Sequence, residues 1–169
     1  MKAAIALCLL LVCTIANAEP SSLQNSDVNT VKAELTKIHK GVKSRFKSKP
    51  PRSGEVFKYY TSFDTVVGDC DDFVSAAYYE LWKIGADPVI YTYDFKSGME
   101  NYRHTIVCAL DFCLDNNNRG VVSKQSFYNR LSSWAYELVE GGTGRLDEER
   151  MLALRKTELR IIGVKDERI

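Results

Sequence analysis

The chain has 169 residues, 23 Lys and Arg against 22 Asp and Glu, and 45% hydrophobic residues. That suffices for one ordinary domain with its own core. A near-zero net charge argues against a general nucleic-acid binder, and beyond the N-terminal segment no apolar run approaches membrane-spanning length.

In chain order, residues 1–18 read as a secretory signal. Lys2 gives a short positive region, residues 3–15 are apolar, and Ala16-Asn17-Ala18 is an A-x-A cleavage site. The mature chain then starts at Glu19, and losing Lys2 leaves its basic and acidic residues in balance. Cys8 follows Leu7 and Cys13 follows Val12, so neither has the small preceding residue that bacterial lipid attachment needs. The expectation is a periplasmic or secreted protein with no stable membrane insertion after cleavage. A retained N-terminal anchor is the alternative.

Residues 19–29 are polar without periodicity and read as a flexible leader. Residues 30–46 carry helical spacing at Val31, Leu35, Ile38 and Val42. Residues 47–54 contain Pro50 and Pro51 and read as a connector. From Lys32 to Arg52 there are eight Lys or Arg and one acid, Glu34. The simpler reading is a solvated face; the sharper one is a surface for an anionic partner. Residues 19–54 are thus a leader and basic helix, forming one globular unit with the domain that follows, 55–169.

Residues 71–84 form the strongest predicted helix, with Phe73, Val74, Ala77, Tyr78, Leu81 and Ile84 as an apolar stripe. Gly85 suits the left-handed position after it, and Pro88 blocks continuation. Residues 89–95, 102–110 and 112–116 read as strands, with turns at 96–101 and 116–120. Residues 126–139 read as an amphipathic helix anchored by Phe127, Leu131, Trp134 and Leu138. Residues 141–144 read as a flexible break, and 146–159 as a terminal helix.

Three cysteines remain after the signal: Cys70, Cys108 and Cys113. An odd count in an exported chain points to one free thiol. Cys108 and Cys113 flank a tight predicted hairpin and are placed to pair across it, leaving Cys70 free. The alternative is three reduced thiols.

Cys70 lies in Gly68-Asp69-Cys70-Asp71-Asp72-Phe73, at a helix start. Free N–H groups and the positive end of the helix dipole there favour a thiolate and later an oxyanion. A histidine must exchange the proton. The mature chain has two. His39 sits among lysines and reads as an exposed surface residue; His104 opens the apolar strand segment Thr105-Ile106-Val107. In a hairpin of 104–110 with 112–117, His104 falls opposite or diagonal to Asp115 on one face, the same face as a Cys108–Cys113 bridge. Asp115 would orient the imidazole, with Asn116 as the alternative orienter. Asp115 also suits an ordinary Asx turn.

Three carboxylates beside the thiol oppose its ionisation. Asp69, Asp71 and Asp72 read either as helix caps or as a site for Ca²⁺, which takes clustered oxygens. No Cys or His pairing suits zinc.

Gly68-Asp69-Cys70-Asp71-Asp72-Phe73 and its helix, Ile84-Gly85-Ala86-Asp87-Pro88, His104-Thr105-Ile106-Val107 and Leu114-Asp115-Asn116 together resemble the bacterial transglutaminase-like cysteine proteinases. The resemblance covers roughly residues 55–120. It implies an α+β, papain-like fold, with a nucleophile at a helix N-terminus packed against an antiparallel sheet. It implies Cys70 as nucleophile, His104 as base and Asp115 as orienter, with calcium at Asp69 and Asp71. Asp71 stands where many members carry Glu, one methylene longer. Residues 121–169 carry no match.

The expected function is hydrolysis of peptide bonds in a protein or peptide substrate. The alternatives are acyl transfer by the same triad and a non-catalytic binding module on this fold.

Overall fold

The computed structural model describes residues 23–50, 57–97, 100–134 and 137–164. The expected signal and its cleavage site lie outside these residues, as do Pro51 to Gly54. Helix α1 is Val28–Arg45, α2 is Cys70–Lys83, α3 is Lys124–Trp134 and α4 is Glu148–Ile161. Strands are β1 Phe46–Ser48, β2 Val66–Gly68, β3 Val89–Ser97, β4 Glu100–Ala109, β5 Phe112–Leu114, β6 Val122–Ser123 and β7 Glu137–Gly144. The described chain is a mixed α+β structure. Its main sheet is antiparallel with five strands in the order β6-β5-β4-β3-β7, and β1 and β2 form a separate parallel pair.

The sheet alternates between two cores, because successive strand residues point to opposite faces. Ile90, Val107, Ala109 and Leu114 join the buried stripe of α2 and the inner face of α1. Tyr93, Ile106, Cys108 and Cys113 point the other way, against Phe127 of α3. Val31, Leu35 and Val42 bring α1 into the same core as Phe73 and Leu81 of α2. No helix among the described residues is long and apolar enough to cross a membrane.

Helix α2 begins and ends where its sequence dictates. Asp69 caps it and shares a capping box with Asp72. At the far end Gly85 takes φ 70°, and its N–H and that of Ala86 bond back to Trp82 and Leu81. That closure satisfies the last carbonyls and turns the chain toward β3.

Three expectations are corrected. Part of the leader is ordered: Leu23–Asn25 form a 3-10 turn, Leu23 is buried, and Asp27 caps α1. The connector after α1 opens with β1, which pairs with β2 from Phe46 to Ser48. The helix expected over 126–139 stops at Trp134, and β7 follows. Residues 138–144, read as the end of a helix and a break, instead cover the open edge of β3. A sheet edge leaves a row of unpaired N–H and C=O groups, and pairing them outweighs a helical apolar spacing. The glycines fit a bulge there: the register shifts between Thr92 and Tyr93, opposite Gly142 at φ 136°.

Candidate active site

The first turn of α2 explains Gly68 and two of the three acids. Asp72 folds back so that its Oδ2 accepts the Asp69 N–H at 3.2 Å, while its Oδ1 accepts the Tyr60 hydroxyl at 2.5 Å. A Cβ on Gly68 would lie 1.5 Å from Asp72 Oδ2, so only glycine leaves room for this carboxylate. Asp69 Oδ1 in turn accepts the Asp71 N–H at 3.1 Å. Burial raises the Asp69 carboxyl above its ordinary value, and the charges of Asp71 and Asp72 add to the rise. The Phe73 N–H bonds to the Asp69 carbonyl. Cys70 is the first residue of α2, a position whose N–H has no intrahelical carbonyl to bond.

Cys70 is half-buried and is the free cysteine among the described residues. Its Sγ lies 3.9 Å from Asp71 Oδ1. Arg103, bonded to Asp94 at 2.7 Å, lies within range of the Asp71 charge and brings a cation to the same edge.

The β4–β5 hairpin supplies the other half of the site. Val107 pairs with Leu114 and Cys108 with Cys113, and the two cysteines are disulfide-bonded. This register puts His104 and Asp115 diagonally on one face. His104 Nε2 lies 2.9 Å from Asp115 Oδ1. Burial would push the imidazole down. Hydrogen bonds to Asp115 and Cys70, and the charge of each, outweigh that and lift it to about 10. With Nε2 committed to Asp115, Nδ1 remains for the thiol. The ring is thus held by Asp115 and lies within electrostatic reach of Cys70.

Asp115 is 3% exposed and fully engaged. Its Oδ1 also accepts the Asn117 N–H at 3.0 Å, and its Oδ2 accepts Asn118 Nδ2 at 3.0 Å. Arg130 of α3 donates to Asn118 Oδ1 and fixes that amide's orientation. The Asx turn and the imidazole contact, weighed as alternatives in the sequence, coexist on one carboxylate. Asn116, the other candidate orienter, accepts Lys43 Nζ at its backbone carbonyl.

His39 is the clearest correction. It is not an exposed surface residue: it is 1% exposed, packs edge-on against Phe73 at 5.7 Å, and donates from Nε2 to the Asp115 carbonyl at 3.0 Å. The signal was present, because His39 lies four residues after Leu35 and so continues the buried face of α1. The flanking lysines masked it. Asn118 and Arg130 were also missed: Asn118 lies three residues after Asp115 within the expected turn, whereas no sequence spacing connects Arg130 to it.

Among the described residues, no group of three or more His, Cys, Asp or Glu side chains is arranged to hold a metal ion. Asp69 and Asp71 contribute two carboxylates beside Cys70, with Asp69 Oδ1 already used as a cap. Six to eight oxygens are usual around calcium, so backbone carbonyls and water would have to complete a site there. No protein-family model matches this chain, and neither a curated protein nor a solved structure is significantly similar to it.

Proposed function

We propose that the protein is an exported cysteine peptidase, periplasmic or secreted, with a papain-like, transglutaminase-like catalytic core. The observation that carries this reading is His104, gripped by Asp115 through Nε2 and within electrostatic reach of Cys70 at the start of α2. The resemblance of residues 68–73, 84–88, 104–107 and 114–116 to the transglutaminase-like proteinases supports it.

In this reading Cys70 gives its proton to His104 and attacks the scissile carbonyl carbon. The oxyanion accepts from the Cys70 N–H, aided by the helix dipole. His104 then protonates the departing amine, leaving a thioester on Cys70. Water, deprotonated by His104, attacks the thioester and releases the new carboxylate and the thiol. Asp115 holds the imidazole in orientation and favours its charged form throughout. Asp69 and Asp71 are the residues that would hold calcium, whose charge would offset carboxylate repulsion near the thiol.

The test is labelling of the mature protein with a thiol-directed electrophile across pH, with chelator or added calcium, locating the adduct by mass spectrometry. Fast modification of Cys70 below neutral pH, lost in His104→Ala, is expected. Slow labelling with an ordinary thiol profile under every condition would rule out the activated pair and favour a binding module. Incubation with peptides then separates hydrolysis, which yields new termini, from acyl transfer, which yields amide adducts. Cys70→Ala should abolish either reaction with an unchanged melting temperature.

A further inference from the structure

We propose that the basic groove between α1 and the turn after β5 binds a phosphate-class oxyanion. The groove has a volume of about 450 Å³ and is lined by His39, Lys40, Lys43 and Ser44 of α1 and by Asn117, Asn118 and Arg119. That volume falls within the roughly 300–1,000 Å³ usual for small-molecule sites.

Its chemistry is one-sided. Three permanent cations line it and no acid does. Lys40 and Arg119 are exposed and have no ion-pair partner among the described residues, unlike Lys37, which pairs with Glu34, and Arg45, which pairs with Glu80. The basic segment seen in the sequence is thus split by the fold. Part of it braces the core, and part converges with a residue from a distant turn. Lysine serves oxyanions as a point charge, and arginine adds a planar fork of donors. Clustered cations without a counter-charge repel one another, and a dianion would relieve that.

The inner wall supplies an independent observation. His39 is buried, spends Nε2 on the Asp115 carbonyl, and leaves Nδ1 with no hydrogen-bond partner among the described residues. With Nε2 donating, Nδ1 carries the free lone pair and needs a donor, which the P–OH of a hydrogen phosphate would supply while its charged oxygens face the cations. The groove also shares its walls with the supports of Asp115: Asn117, Asn118 and His39 all bond to that residue. An anion here would sit behind the Asp115–His104 pair without touching the thiol.

The experiment is calorimetric titration of the Cys70→Ala protein with inorganic phosphate and with ribose 5-phosphate, at constant ionic strength against chloride. It needs no turnover, so it is independent of the peptidase reading. Saturable binding with a Kd on the order of 1 mM or tighter is expected. The double variant Lys40→Glu/Arg119→Glu, altered only at exposed positions, should bind at least about tenfold more weakly with its phosphate-free melting temperature kept. A control pair outside the groove, Lys32→Glu/Lys47→Glu, should bind like the parent. Tighter binding of the sugar phosphate would assign the groove to an esterified phosphate, and equal binding to the free ion. Non-saturating heats, unchanged affinity in the groove variant, or equal weakening in the control would overturn the site.

Discussion

Two carboxylates, each 3% exposed, lie near opposite ends of α2, and they serve different purposes. Glu158 of α4 accepts the Ser62 N–H at 2.8 Å, Arg155 at 2.9 Å, Lys83 at 3.2 Å and the Tyr79 hydroxyl at 3.2 Å. Burial alone would raise its carboxyl, but the Ser62 bonds and Lys83 hold it at about 2. Two of its partners are permanent cations, so its charge is spent on fixing α4 to α2. Asp115 is equally buried, yet its side chain takes two neutral amide donors and one titratable ring. Its charge is therefore free to act on His104. Burial makes a carboxylate consequential; the partner decides whether the result is a clamp or a raised imidazole pKa.

The comparison breaks most visibly at Asp115. Asp115→Asn should keep most of the Asx-turn bonds but lose the charge behind His104. Peptide turnover should fall by on the order of 10³-fold or more, with a smaller change in melting temperature. A fall under tenfold would mean that Asp115 is only a turn residue. At the other end, Glu158→Gln should leave turnover per folded molecule unchanged and destabilise the fold by on the order of 3 kcal/mol, because Lys83 and Arg155 lose their shared counter-charge. Urea titration would measure it, and an unaltered midpoint would show that the clamp is ornamental.

Protonation sharpens the contrast, since the two ends titrate in opposite directions. Glu158 is held below its ordinary 4.5, so its contribution to stability is present above about 4.5 and fades as pH falls toward about 2. His104 is raised from 6.5 to about 10, so its contribution is full below about 6.5 and is lost as pH rises through about 10. Denaturation across pH should therefore show an acid limb that flattens in Glu158→Gln and an alkaline limb that flattens in His104→Ala. Limbs that survive both substitutions would refute this assignment.

The site was legible where chemistry is local. Asp69, Cys70 and Asp72 announce a helix start in adjacent positions, and the capping box forms as their spacing requires. The hairpin register followed from the two cysteines, which pair directly across β4 and β5. His39 was misread because charge on its neighbours obscured a helical period that still placed it inward. The strand at 137–144 was misread because its apolar residues continue the spacing of α3, and only the vacant edge of β3 decides otherwise.

The sequence by itself determined the helix that Cys70 opens, the hairpin and the His104–Asp115 pairing, because each depends on residues close in the chain and on fixed periods of 3.6 and 2. Tertiary structure alone decided what surrounds them. It brought His39 from α1 to the Asp115 carbonyl, Arg130 from α3 to Asn118, and Arg119 beside Lys40 and Lys43. These contacts span from 12 residues, Arg130 to Asn118, to 76, His39 to Asp115. Their cost in chain entropy is met only by burial of the shared core, which no local pattern records.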